Sequence, residues 1–284
     1  MTLCAAFVDG ETIWFASDSR LTLPTGATFD FCSKVVRVPV KLLGSGYEGS
    51  PPQPIHEFNI GLALVGNFTA AYSVRELLIE LLPQLQVIPE LRRASFDIVI
   101  EVIRALFESV SRSICETLAE KGIAQLLVGG HCPLQKRVRT FHLTIDSSTF
   151  PISVHTNEFA PTARGLFLGS GREAAEKIVS AQPDVSVFHV IKRVIDDPDV
   201  PSVGGAIQLG FFRSTEFIVA GIYDYVIDEK ERTVTVRRLH RGIDLREFVR
   251  RLGAEDLNVA FTAAQPFNAE LDRLMAAGYL VRTP

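Results

Sequence analysis

Three residues of this chain, Thr2, Asp18 and Lys34, have types and an even spacing that would do chemistry together. A threonine with a free α-amine carries a hydroxyl nucleophile and a weak base on adjacent carbons. Removal of Met1 is expected to expose Thr2 in that form, because a small second residue permits it. The hydroxyl alone is a poor nucleophile at neutral pH. The amine, with an ordinary pKa of about 8, can take its proton directly or through a water. A lysine ammonium nearby lowers the amine's pKa and keeps a neutral fraction at neutral pH. An aspartate paired with that lysine keeps it charged and aims it. Singly, each residue has a plainer role: a common second residue, a turn cap, a surface lysine. An oxyanion formed on the way needs backbone donors, and Gly66 in Val65-Gly66-Asn67 is the candidate, since glycine allows close approach. An ordinary strand-to-helix turn explains Gly66 equally well.

The elements that would gather these residues are legible nearby. Residues 3–8 and 12–17 are strand-like, and Asp9-Gly10 between them has hairpin-turn chemistry. That turn predicts Thr2 opposite Ser17, beside Asp18; one more loop residue would set Thr2 opposite Asp18. Leu23-Pro24-Thr25-Gly26 predicts a second turn, and a third strand over Phe29–Val38 would return Lys34 to the same end. The Gly/Pro-rich stretch 39–56 reads as a loop. A short strand, Ile60–Val65, precedes a helix opened by a Ser73–Glu76 capping box and ended near Pro83. Ser95 caps a longer amphipathic helix.

Strand signals return at 125–128, 138–145, 152–155 and 165–168. Helices are expected over about 172–180 and 185–195, then strands over 206–212, 217–227 and 233–239. Strands and helices thus come in blocks rather than in strict alternation, which predicts an α+β fold of antiparallel sheets covered by helix pairs. Residues 1–244 read as one domain and 245–284 as a C-terminal helical extension, with Phe248, Val249, Leu252, Leu271, Leu274 and Met275 at helical spacing.

The pattern resembles the proteasome β-subunit superfamily of N-terminal nucleophile hydrolases, and within it bacterial homologues of the type called Anbu. The resemblance is carried by Thr2-Leu3-Cys4, Phe15-Ala16-Ser17-Asp18-Ser19-Arg20, Cys32-Ser33-Lys34-Val35, Leu64-Val65-Gly66-Asn67 and Leu168-Gly169-Ser170-Gly171, over about residues 2–240. It implies a four-layer αββα sandwich of two antiparallel sheets flanked by helix pairs. It implies Thr2 as nucleophile and base, Asp18 and Lys34 as the tuning pair, Gly66 as oxyanion donor, and Ser170 near the Thr2 amine. Asp199 and Ser202 have the spacing of the family's remaining aspartate and serine. Here Ser202-Val203-Gly204-Gly205 departs from the usual serine followed directly by two glycines, and Asp196 and Asp197 compete with Asp199.

The function so implied is a threonine-type amidohydrolase, a self-assembling peptidase. Its partners would be a peptide or protein substrate, further copies in a ring or spiral, and an ATP-dependent unfoldase. Two alternatives stand beside it: a catalytically silent scaffold subunit, which in the family typically carries an extra N-terminal helix, and an amidase acting on other amides.

Net charge is −4, so no nucleic-acid footprint is expected. Arg237, Arg238, His240 and Arg241 form a small basic cluster that reads as a solvated strand end rather than a polyanion site. Residues 1–20 lack a secretory pattern and no apolar run reaches membrane-spanning length, so a cytoplasmic chain without membrane contact is expected. Four widely spaced cysteines fit free thiols in a reducing compartment. Gly44-Ser45-Gly46-Tyr47-Glu48-Gly49 matches a dinucleotide fingerprint by letters, but Pro51 and Pro52 follow where a helix should start. Gly169-Ser170-Gly171 opens a helix without the lysine of a phosphate loop, and the histidines lack metal spacing. No cofactor and no metal are expected.

Overall fold

A computed structural model describes residues 2–23, 25–44, 52–86, 95–146, 152–251 and 262–282. The chain runs β1 (Leu3–Asp9), β2 (Thr12–Ser17), β3 (Leu21–Thr22), β4 (Thr28–Phe29), β5 (Val35–Leu43), β6 (Pro54–Gly66), α1 (Phe68–Leu81), β7 (Leu85–Gln86) and α2 (Phe96–Leu118). Then come β8 (Ala124–Cys132), β9 (Arg137–Asp146), β10 (Ser153–Phe159), β11 (Leu166–Gly169), α3 (Arg172–Ala181) and α4 (Val187–Ile195). The last elements are β12 (Gln208–Arg213), β13 (Glu216–Asp228), β14 (Thr233–His240), β15 (Ile243–Asp244), α5 (Leu245–Arg251), β16 (Ala263–Ala264), α6 (Asn268–Ala276) and β17 (Leu280–Arg282). The fold is a mixed α+β fold.

One sheet has the order β11-β1-β2-β12-β13-β14-β15, with β16 and β17 added parallel to β13 and β14. The other has the order β10-β9-β8-β6-β5-β7. Strand side chains alternate between faces, and here both faces are buried. On β1, Leu3, Ala5 and Phe7 pack with Val190, Ile191 and Val194 of α4. Cys4 and Ala6 point the other way, into a cluster with Ala63, Val65 and Leu127 of the second sheet. On β6, Ile60, Leu62 and Leu64 meet Val74, Leu78, Val99 and Ile103 of α1 and α2. This two-sided burial is why LCAAFV and IGLALV are nearly unbroken apolar runs. Phe217 presses on Gly61 and Gly210 so closely that a Cβ at either position would collide with its ring.

Several expectations need correction. The first hairpin turns on Gly10-Glu11, not Asp9-Gly10, since Asp9 pairs with Thr12. Of its two loop residues only Gly10 has positive φ (+60), as in a type II′ turn. Cys4 therefore faces Ser17, and Leu3 exchanges bonds with Asp18. The third strand splits: among the described residues β4 pairs only with β3, and β5 starts at Val35 in the other sheet. The 39–56 loop is largely hairpin, because β5 continues to Leu43 and β6 begins at Pro54. Val36, Val38, Val40 and Leu42 alternate inward there. Among the described residues β7 reaches only Leu42 and Leu43, so Pro39 sits on an open edge, where proline is tolerated. The Gly44–Gly49 fingerprint lies mostly outside the described residues.

Helix α1 starts at Phe68, ahead of the expected capping box, because Asn67 Oδ1 accepts from the Ala70 N–H at 2.9 Å and caps it. Ser95 caps α2 as its sequence predicts, accepting from the Asp97 N–H. After residue 244 the helices α5 and α6 are accompanied by strands, and Phe267 is buried in the core of the first sheet. Leu252 lies outside the described residues. Among the described residues no helix is long and apolar enough to cross a membrane.

Candidate active site

Asp18 follows the last residue of β2, at the end of the hairpin where β1 begins. Its carboxylate is fully buried and accepts four hydrogen bonds. Oδ1 takes the Leu3 N–H at 2.9 Å and Lys34 Nζ at 2.8 Å. Oδ2 takes the backbone N–H groups of Arg20 at 3.1 Å and Gly204 at 3.2 Å. A buried charge persists only when paired and hydrogen-bonded, and here both conditions are met. Lys34, 4% exposed, is the pair's other half.

Lys34 arrives from the opposite sheet, immediately before β5. Gln208, buried on β12, fixes that segment. Its Oε1 accepts the N–H groups of Lys34 at 2.8 Å and Val35 at 3.2 Å, while its Nε2 donates to the Cys32 carbonyl at 2.5 Å. Gln208 is a positioning residue that sequence reading missed; its only signal was a lone polar residue opening an apolar run. Arg20 and Asp30 form a two-bond ion pair, Nε to Oδ1 at 2.7 Å and Nη2 to Oδ2 at 3.0 Å, which closes the excursion between β2 and β5. Arg20 holds the Asp30 carboxyl below its ordinary range.

Thr2 is buried and its carbonyl accepts from Gly171 N at 3.3 Å. Gly169 has φ +92, and any Cβ there would strike the Thr2 carbonyl oxygen, so only glycine fits. Thr2 N donates to Ser170 Oγ at 3.1 Å, and Ser170 Oγ shares a hydrogen bond with Ser202 Oγ at 2.8 Å. Thr2, Lys34 and Gly66 line one small open cleft. Its remaining wall is mainly apolar: Leu21, Cys32, Leu64, Val65, Phe68 and Ala71, with Ser33 at the edge. Gly66 has φ +89 and a Cβ would meet the Ile123 carbonyl at 2.6 Å, so the strand-to-helix turn itself requires glycine there. Burial pushes the thiol of Cys4, beside Thr2, up to about 12.

The sequence-predicted residues thus divide. Thr2, Asp18, Lys34, Gly66, Ser170 and Ser202 come together. Asp199 does not: it is exposed, its N–H donates to Asp197 Oδ1, and its carboxylate has no partner among the described residues. Neither competitor replaces it, since Asp197 accepts that turn bond and Asp196 pairs with Lys192. In the departing Ser202–Gly205 stretch, Gly204 takes the contact with Asp18, and Val203 is buried in the α4 core. Among the described residues no three histidine, cysteine, aspartate or glutamate side chains converge as a metal site.

Solved structures that share this fold include two Anbu proteins. Anbu (ancestral beta-subunit) from Yersinia bercovieri superposes with a TM-score of 0.50 at 17% identity, over 76% of this chain and 86% of that one. The Anbu (Gly-1) mutant from Hyphomicrobium sp. strain MC1 superposes with a TM-score of 0.52 at 13% identity, over 92% of this chain and 100% of that one. At these identities the likeness speaks for the fold and nothing further. No protein-family model matches the chain, and no curated protein does.

Proposed function

We propose that the chain is an N-terminal nucleophile amidohydrolase, a threonine-type peptidase. The observation that carries this reading is the buried Lys34–Asp18 pair at 2.8 Å, on the wall of a cleft that Thr2 and Gly66 share. With the chain cut behind residue 1, the Thr2 nitrogen is a free amine held at Ser170. The amine takes the hydroxyl proton as Oγ1 attacks the substrate carbonyl carbon. The oxyanion accepts a hydrogen bond from the backbone N–H of Gly66. Collapse breaks the C–N bond, and the protonated amine returns its proton to the leaving nitrogen. Water then attacks the Thr2 ester, giving its proton to the amine, and Thr2 is regenerated.

The same reading takes the three packing clusters as boundaries of a four-layer αββα sandwich, with the site at one end of the inner layers. It also includes self-assembly into a ring or spiral, an ATP-dependent unfoldase as partner, and a cytoplasmic setting. The four free cysteines support that last point. A catalytically silent scaffold subunit is the second reading, favoured by one observation, the exposed position of Asp199. An amidase acting on non-peptide amides would use the same groups.

Intact mass, peptidase assays on Thr2→Ala, and labelling with an amide-mimicking electrophile test the proposal. The expected results are a mature chain starting at Thr2, an adduct on that residue, and loss of turnover by at least about 10³-fold in the variant. A blocked Thr2 nitrogen, or unchanged turnover in Thr2→Ala, would end it.

A further inference from the structure

A second group of reactive side chains meets at the far end of β1 from Thr2. Thr2 directly precedes that strand and Asp9 ends it, so its two ends lie about 20 Å apart. There Ser186 caps α4 by accepting from the His189 N–H, and its hydroxyl meets His189 Nδ1 at 2.7 Å. The other ring nitrogen, Nε2, meets Glu270 Oε2 of α6 at 2.9 Å. A carboxylate only accepts, so Nε2 carries the imidazole proton and Nδ1 is left as the acceptor for the Ser186 O–H. Ser186 is exposed and lines an open cavity of about 370 Å³, room enough for a small molecule.

The ring and its carboxylate are both held in place. Phe267 packs edge-on against the imidazole at 5.1 Å, and the Tyr225 hydroxyl donates to Glu270. Phe7, Val8, Val187 and Phe188 give the cavity an apolar wall, and the exposed Arg164 and Asp184 border it. The Val190 N–H bonds to the Ser186 carbonyl as α4 begins. The N–H groups of Val187 and Phe188, in the first turn, thus have no partner inside the helix. A serine cap with a histidine three places on is an ordinary way to start a helix. Capping accounts for Ser186. It does not account for a carboxylate brought from α6 to the outer nitrogen of the ring, nor for the cavity that Ser186 lines.

We propose that Ser186, His189 and Glu270 form a second, serine-type hydrolytic site for small carboxylic esters, independent of the Thr2 cleft. Ser186 Oγ bonds to the ester carbonyl carbon as its proton passes to His189 Nδ1. Glu270 stabilises the imidazolium and is a positioning residue. The Val187 and Phe188 N–H groups are the donors to the oxyanion. When the C–O bond breaks, Nδ1 gives the proton to the leaving alkoxide and the alcohol departs. Water then attacks the acyl-Ser186 carbonyl and gives a proton to Nδ1. The bond to Oγ breaks, Oγ takes that proton, and the carboxylic acid leaves. Ser186 is open to water, where dipoles and charges act at reduced strength, so the class within reach is the ester rather than the more resistant amide.

The test uses the full chain carrying Thr2→Ala, with p-nitrophenyl butyrate as substrate and a fluorophosphonate as label. The expected results are turnover of the ester and a single fluorophosphonate adduct, placed on Ser186 by peptide mapping. Ser186→Asn keeps a good helix cap, so its unfolding midpoint should stay within about 2 °C. In that variant the adduct should disappear and turnover should fall at least about 10²-fold. Glu270→Gln should lower kcat at least about tenfold with KM unchanged, which marks an oriented base rather than a loosened wall. No turnover and no label, an adduct on another residue, or turnover that survives Ser186→Asn would overturn the site. So would a Glu270→Gln effect confined to KM. With Thr2 replaced throughout, none of these outcomes bears on the hydrolase reading of the Thr2 cleft.

Discussion

Asp18 accepts four hydrogen bonds, and one comes from an ammonium buried with it. Neither member of this pair can leave alone without stranding a charge. Lys34→Ala is therefore expected to cost about 3–5 kcal/mol, read as a lowered urea midpoint with an unchanged slope. A loss under about 1 kcal/mol would mean that water reaches the carboxylate. Cys4 gives a second prediction at this scale. Burial moves its thiol from 9.0 to about 12, so the folded chain keeps a proton that the unfolded chain releases. That contribution to stability is complete below pH 9 and is lost as pH climbs toward 12. Native protein at mildly alkaline pH should accordingly be alkylated at half-buried Cys115 before Cys4. Peptide mapping that finds Cys4 modified first would contradict this. Single residues were also where sequence reading was most uneven. Asp18 and Lys34 announce themselves through their even spacing from Thr2 and the place of Asp18 at the end of a strand-like run. Gln208 does not, since one glutamine at a strand start has many ordinary explanations. Asp199 misleads, because spacing alone cannot tell whether a turn aspartate faces inward.

Among the elements, strands buried on both faces were easy to locate and hard to bound. An unbroken apolar run marks β1 and β6 but carries no alternation from which to read the partner. The hairpin register depended on whether glycine takes the first or second turn position, and Gly10 takes the first. Pro39 and the glycines beyond it hid β5, whose inward valines still alternate. Helix α1 shows the competition between caps. Ser73 offers a capping-box pattern, but Asn67 follows a buried strand and reaches the Ala70 N–H first. Asn67→Ala should cost about 1 kcal/mol. Because Phe68 and Ala71 of the same helix wall the cleft, KM for a good peptide should rise while kcat changes less. An equal fall in kcat with KM fixed would mean that the first turn of α1 does not shape binding.

At the scale of the molecule, the segment after residue 244 is joined to the rest through its core. Phe267 is 1% exposed and packs edge-on against Tyr225 and His189. His189 Nε2 also meets Glu270 Oε2 at 2.9 Å, tying α4 to α6. Phe267→Ala is expected to cost about 3–5 kcal/mol and to lower the single unfolding transition of the whole chain. A separate early transition, with the main one unmoved, would show that the tail folds on its own.

The four donors to Asp18 come from four stations along the chain: Leu3, Arg20, Lys34 and Gly204. The last is just over two hundred positions from the first. A ribosome must therefore deliver the chain as far as Gly204 before that carboxylate has its full set of donors. A chain that stops short of Gly204 has no such corner, and whatever reactivity the completed one confers is withheld until that residue has been made.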